Sequence, residues 1–288
     1  DRDSENTFNI VYDYQKNIFS NAEISKMHEK YIYVIKQLLN NNSLIKNIEI
    51  TTQEEKDIIL NIFNKTEMDF SAEIKYNNIF NLIVNKNINN LDKIALEDKN
   101  NKISYRELLR RVNKLSNYLK NTYTLSENEN IGIIIEKNID TIIGILAILK
   151  INCTVVPIDN AYPLQRKKYM IDNAEIKTIL YTNELTDTKA EKEINIKYEK
   201  YEEEKEDTNN YNYDVNNNLY IVYTSGSTGN PKPVTITHKN IINLIMHEIT
   251  ENKIEFNNSR ILQFATLSFD VSYQEIFTAL LTNSTLVL

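Results

Sequence analysis

The stretch VYTSGSTGNPKPV, residues 222–234, holds two of the chain's four glycines and two of its four prolines. A globular chain of 288 residues would carry about fourteen to twenty glycines at ordinary usage, so their concentration here marks a backbone with special demands. The apolar run Leu219–Tyr220–Ile221–Val222–Tyr223 leads into the stretch, and Val234–Thr235–Ile236 follows it. Thr224, Ser225, Ser227 and Thr228 offer hydroxyls, Gly226 and Gly229 allow close backbone approach, and Lys232 adds one positive charge. Between two strands, such a loop can wrap an anion with N–H groups and hydroxyls, and the chemistry suits phosphate. The same residue types also build plain turns, but a stretch this dense in hydroxyls is long for one. A Walker A loop is excluded. Counted from Gly226, the second glycine position falls on Pro231, Pro233 stands after Lys232, and a strand-like segment follows where a helix is required.

Composition narrows the class further. Apolar residues make up 41% and charged residues 25%, the balance of a soluble folded chain. Net charge −7 with interleaved bases argues against a nucleic-acid partner, which calls for a clustered basic face. The one cysteine, Cys153, excludes an internal disulfide framework and fits a reducing, cytoplasmic compartment. The most apolar long window, 139–151, is interrupted by Asp140 and is too short for a bilayer, and no signal peptide opens the chain. Starting at Asp1 and stopping in the strand-like STLVL, the sequence reads as a piece of something longer.

Apolar spacing predicts an amphipathic helix over 22–42 and a second at TTQEEKDIIL, capped by Thr51 or Thr52. A linker is expected over 67–76. From Asn78 onward strands and helices alternate. The strands are KIALED, NIGIIIE, TVVPID and IKTILYT; the helices include SYRELLRRVNKLSNYLK, with Ser104 and Glu107 as a capping box. This order indicates parallel βαβ units and an α/β domain. Residues 183–218, acidic and without period, are expected as a solvated loop. A helix from Lys239, the strand RILQFA, a helix from Ser272 and the strand TLVL complete the reading.

The loop resembles the phosphate loop of the adenylate-forming enzymes, T-S-G-[ST]-T-G-x-P-K-G-V, here Thr224 to Val234. Three further segments resemble that family's core motifs in order: ISYREL (103–108), LKINCTVVPID (149–159) and LQFATLSFDVS (262–272), the last with Phe269, Asp270 and Ser272 in the pattern F-D-x-S. Together with AYPLQRKKYMIDNA they look most like the adenylation domains of nonribosomal peptide synthetases. Residues 1–70 resemble the tail of a condensation domain and its linker, a preface that acyl- and aryl-CoA ligases lack. The resemblance thus implies a truncated N-terminal subdomain of an adenylation domain over 71–288, preceded by that tail.

It further implies ATP-dependent activation of an amino acid as aminoacyl-AMP, with magnesium, for loading onto the phosphopantetheine thiol of a carrier domain. Thr224, Ser225, Gly226, Ser227, Thr228 and Gly229 would hold the ATP phosphates with the catalytic Lys232. Asp270 would pair with the substrate ammonium, and a carboxylate at a largely buried site is a strong partner for it. The alternative for Asp270 is a place near a helix start, since Ser272-x-x-Glu275 is itself a capping box. Phe269, Val271 and Gln274 fall where the family lines its side-chain pocket, and Asp-Val-Gln looks like pockets for proline-like substrates. The competing readings are an acyl- or aryl-CoA ligase and a folded but inert fragment. Pro233 stands where the family has glycine, and Asn152 and Cys153 where it has small residues or glycines. His238 is expected to cap or pack; His28, His247 and Cys153 have no ligand or base companions, and no metal ligand is assigned.

Overall fold

The computed structural model describes residues 9–39, 44–183, 185, 188, 190–209, 211, 213–225, 231–251 and 256–288. The chain divides into two compact units, Asp1–Met68 and Asp69–Leu288.

In the first unit, Ser20 opens helix α1 (Asn21–Leu38) with a reciprocal box. The Glu23 amide donates to Ser20 Oγ at 3.3 Å, and the Ser20 amide to Glu23 Oε2 at 2.7 Å. Thr52 and Glu55 repeat the device at helix α2 (Gln53–Asp57), which widens into a π-helical turn over Ile58–Phe63. Lys30 ties the two helices through Glu55 at 2.9 Å. None of the unit's described apolar side chains is fully buried; Val11, Ile45 and Phe63 are 81%, 84% and 73% exposed.

The second unit begins with the short helix α3 (Ser71–Ile74), inside the expected linker, and α4 (Ile79–Asn87). Strands β1 (Ile94–Glu97) and β2 (Lys102–Ser104) lead to α5 (Tyr105–Tyr123). Then follow β3 (Asn130–Ile134), α6 (Ile139–Lys150), β4 (Thr154–Ile158), α7 (Leu164–Asn173), β5 (Thr178–Tyr181) and β6 (Lys192–Asn195). The hairpin β7 (Asn218–Thr224) and β8 (Lys232–Thr237), helix α8 (His238–Glu251), β9 (Arg260–Leu262), α9 (Asp270–Leu281) and β10 (Thr285–Val287) complete it. A six-stranded sheet runs β6-β5-β3-β4-β7-β8, parallel except for β8. A four-stranded sheet runs β2-β1-β10-β9, and in it β10 pairs in parallel with both β1 and β9. The expected α/β class and parallel βαβ units are what the chain forms.

Helix α6 is buried along its length except at Asp140 and is apolar from Ile142 to Leu149, as a helix enclosed by other layers must be. It packs on α4, α5, β3 and β4. A side chain at Gly144 would meet Ile196 Cδ1 at 2.5 Å, so glycine is what lets the segment after β6 approach. Elsewhere asparagine does glycine's work. Five of the seven described non-glycine residues with positive φ are Asn, among them Asn152 at 60°, and asparagine tolerates the left-handed region because its side chain bonds locally. That accounts for Asn152 at a position the resemblance gives to glycine.

Two expectations fail. The 183–218 segment is solvated only in part: among its described residues Lys192–Asn195 form β6 and Tyr201, Asp207 and Tyr213 are buried at 1%, 4% and 9% exposure, while Glu202, Glu203 and Glu206 stay exposed. The tyrosines supply apolar area, and Lys150, buried at the end of α6, neutralises Asp207 Oδ2 at 3.5 Å and donates to its carbonyl. Burial pulls the Lys150 pKa down despite that partner. The expected boxes also change. Ser104 caps α5 by accepting from the Glu107 amide at 3.3 Å, but Glu107 turns to Arg110 and Arg111 at 2.7 and 2.6 Å. Helix α9 begins at Asp270, not Ser272, with Ser272 Oγ donating to the Phe269 carbonyl at 2.6 Å.

Candidate functional site

In the six-stranded sheet, β4 lies on one side of β3 and β5 on the other. Ligands of parallel α/β sheets bind at the carboxyl ends of strands beside such a switch. Here a crevice of about 120 Å³ opens, lined by Ile135, Glu136, Lys137, Asp159, Thr266 and Leu267.

Strand β7 ends with Thr224 at this same carboxyl edge, and β8 begins there with Lys232. The terminal pair is Thr224–Lys232, preceded by Tyr223 opposite Pro233 and Val222 opposite Val234. Thr224 Oγ1 donates to the Lys232 carbonyl at 3.5 Å, and the Tyr223 hydroxyl donates to Asn173 Oδ1 at 2.8 Å, fixing the strand to α7. Thr224, Ser225 and Lys232 are exposed. Gly226, Ser227, Thr228 and Gly229 lie outside the described residues. Because β8 is an edge strand, Pro233 occupies the kind of position where a sheet accommodates proline.

Asp270, Val271 and Gln274 line one cavity of about 170 Å³ from α9. Its opposite walls come from the hairpin, through Tyr220 and Ile236, and from α8, through Asn240, Ile241 and Leu244. Tyr220 stacks on Tyr273 with ring centroids 4.0 Å apart. Burial, with the Asp270 charge adding to it, pushes the Tyr220 hydroxyl up to about 12. Asp270 is exposed, correcting the expectation of a largely buried carboxylate, and its Oδ1 accepts from the Val271 amide at 2.9 Å. Phe269, the residue before α9, is 63% exposed and stands outside the cavity lining. The sequence reading missed Tyr220, Ile236 and the α8 wall. Period-two and helical patterns mark these residues as core, and only the fold brings them to Asp270.

The remaining expectations resolve as follows. His238 opens α8 at 1% exposure, where burial pulls its pKa down to about 4 and its Nδ1 accepts from the Ile79 amide at 3.3 Å. The Cys153 thiol donates to the Ser126 carbonyl at 3.1 Å, and burial pushes it up to about 12, so it is packed rather than nucleophilic. His28 pairs with the Tyr12 hydroxyl at 3.0 Å. Among the described residues no group of three His, Cys, Asp or Glu side chains could hold a metal ion, and no helix is long and apolar enough to cross a membrane. A larger polar cavity, about 340 Å³, lies at the start of α6 beside Arg111 and Asp140. Arg111 is already engaged by Glu107 at 2.6 Å and stacks over Tyr198 at 4.0 Å.

The six-stranded sheet, parallel except for β8, and the cavity that Asp270 shares with the β7–β8 hairpin define an α/β protein. The profile of the AMP-binding enzyme family matches residues 85–288, and the chain belongs to that family. It is 33% identical over 283 residues to gramicidin S synthase 2 of Aneurinibacillus migulanus, which spans 97% of this chain and 6% of the synthase. The chain therefore spans only a small part of the length of such relatives. Among solved structures, the Klebsiella oxytoca NpsA N-terminal subdomain in complex with 3-hydroxyanthranilyl-AMSN is 25% identical, with a TM-score of 0.64 over 73% of this chain and 53% of its own. The AMPPNP-bound form of FmoA3 (S1046A), a nonribosomal peptide synthetase, is 18% identical and shares the fold, with a TM-score of 0.76 over 93% of this chain and 29% of its own.

Proposed function

We propose that residues 71–288 are the N-terminal part of an amino-acid adenylation domain of a nonribosomal peptide synthetase, and residues 1–70 the end of a condensation domain with its linker. In this reading the amino acid's carboxylate oxygen attacks the α-phosphorus of ATP, pyrophosphate leaves, and the aminoacyl-AMP passes its acyl group to a carrier domain's phosphopantetheine thiol, releasing AMP. The carboxylate is a poor acylating agent, and the mixed anhydride gives it a good leaving group. The protein's share is positioning and charge neutralisation.

Thr224, Ser225, Gly226, Ser227, Thr228 and Gly229 hold the β- and γ-phosphates, and Lys232, at the loop's exit, offsets their charge. Magnesium, when bound, shares that neutralisation, and no residue of this chain is assigned to it. Asp270 takes the substrate ammonium, while Val271 and Gln274 bound the side chain and Phe269, outside the cavity lining, precedes them. The proline-like substrate rests on the residues Asp270-Val271-Gln274, the carrier and condensation partners on the resemblance, and the cytoplasmic setting on the single buried thiol. One observation carries the proposal. Asp270, Val271 and Gln274 share a cavity with Tyr220 and Ile236, which belong to the same hairpin as the phosphate-type loop.

Amino-acid-dependent ATP–pyrophosphate exchange tests it, run on this chain and on the longest natural polypeptide that carries it. Proline is expected to give the highest rate, and Asp270→Ala to lower it about a hundredfold or more, the order expected when a charged partner is removed. Exchange near wild type in Asp270→Ala overturns the role of Asp270. Proline no better than leucine or serine overturns the substrate. Activity with fatty or aryl acids in place of amino acids identifies a CoA-ligase-type enzyme, and no exchange with any acid identifies an inert fragment.

A further inference from the structure

Lys137 follows β3 at the carboxyl end of the six-stranded sheet, and Gln263 follows β9 at the carboxyl end of the four-stranded sheet. The Lys137 ammonium bridges the two, donating to the Gln263 carbonyl at 3.0 Å and the Phe264 carbonyl at 2.9 Å. Bonds from a cation to a carbonyl are among the stronger hydrogen bonds in proteins. The stretch they grip is buried at Gln263 and Leu267, 1% and 2% exposed, while the Phe264 side chain is 77% exposed. Hydrogen bonds fix the rest of its course. Glu275 accepts the Ala265 amide with both carboxylate oxygens at 3.2 Å and the Gln263 side-chain amide at 3.2 Å. A turn then closes from the Phe269 amide to the Thr266 carbonyl at 3.0 Å, and Asp270 follows as the first residue of α9.

Glu275 belongs to α9 itself, so its bonds hold the loop to its own helix. Lys137 reaches the same loop from the other sheet, the one that carries the β7–β8 hairpin. We infer that Lys137 is a positioning residue: its two-carbonyl clamp sets where Asp270 stands relative to that hairpin, and so sets the affinity for the amino-acid substrate. The inference rests on the adenylation reading of the site.

Loss of the ammonium leaves two carbonyls beside an open crevice, where water can replace it at little cost to folding. Position suffers instead, and a small misplacement of the carboxylate that holds the substrate weakens that hold. The test is pyrophosphate exchange with proline and the other amino acids on the longest natural polypeptide that carries this chain, with thermal melting in parallel. Lys137→Met is expected to raise the KM for the amino acid about tenfold while leaving the KM for ATP unmoved, and Lys137→Arg, whose guanidinium can still donate to both carbonyls, to restore it.

An unchanged amino-acid KM in Lys137→Met overturns the inference. So does a parallel rise of both KM values with a lowered melting temperature, which would mark a merely structural tie. Wild-type exchange combined with an inert Asp270→Ala and an unaffected Lys137→Met would leave the adenylation reading standing and remove this inference alone. Absence of exchange in the wild type would remove both.

Discussion

Helix α6 and residues 196–217 look like opposites in sequence. The helix reads IDTIIGILAILK, while the other segment is crowded with Glu, Asp and Asn and shows no apolar period. Yet both contribute to the same interior. Ile196 inserts against Gly144, Tyr201 and Tyr213 are buried, and the segment is joined to the helix end through Lys150 and Asp207. The helix reaches the core by periodicity, the segment by a few separated anchors. Hydrophobic pattern is therefore sufficient to find a buried element but not necessary, because a charge pair and three aromatic or aliphatic residues can hold an acidic stretch in place.

The largest expected effect comes from breaking the anchor. Lys150→Met leaves Asp207 as a buried charge without its cation, held otherwise by the Tyr211 hydroxyl at 2.5 Å and the Asn209 amide at 2.9 Å. The expected loss is about 3–5 kcal/mol in chemical denaturation, with most of it recovered when Asp207→Asn is added. A single variant within about 1 kcal/mol of wild type would break the claim that this pair holds the segment.

A smaller effect, and one tied to pH, lies where the segment ends. Its last residue, Asn217, accepts from the His238 amide at 3.1 Å, and the His238 imidazole is buried neutral with its pKa lowered from 6.5 to about 4. The unfolded chain therefore takes the proton first. The stability contribution is complete above about pH 6.5, erodes as pH falls from there through 4, and amounts to about 3 kcal/mol. The free energy of unfolding of wild type minus that of His238→Gln, followed by urea titration across this range, should fall accordingly. A flat difference would remove the neutral-imidazole assignment.

The smallest effect concerns the helix side. Gly144→Ala gains about 1 kcal/mol of helix propensity, but its methyl meets Ile196 at 2.5 Å, and overpacking of this kind costs about 1–3 kcal/mol. A net loss near 1 kcal/mol is expected, readable as a lowered melting temperature. A rise would show that Ile196 is not held in place.

The same contrast explains how much was legible beforehand. The βαβ order, the cap at Ser104 and the strand after the loop follow from local pattern, since each depends on neighbours within a few residues; Cys153 and His238 are legible as packed because their apolar flanks are local, although their partners Ser126 and Ile79 are distant. Burial of Asp207 depends on Lys150, 57 residues away, and no local rule contains that partner. The start of α9 shifted for a similar reason: Glu275, free to cap in the sequence, is engaged by Gln263 and Ala265. At the candidate site the sequence supplies Asp270, Val271 and Gln274 because they share a motif. It omits Tyr220, Ile236 and Leu244 because those residues belong to other elements and meet α9 only in the fold.

The asparagines in left-handed conformation carry a consequence for the denatured ensemble. A glycine wanders over far more of backbone space than any other residue, and replacing it where the native conformation is tolerated stabilises by about 0.4–1 kcal/mol through the unfolded chain alone. Asparagine at Asn77, Asn128, Asn152, Asn258 and Asn283 keeps the turns that glycine would make while leaving a stiffer disordered state. Scarcity of glycine thus narrows what the chain must give up on folding.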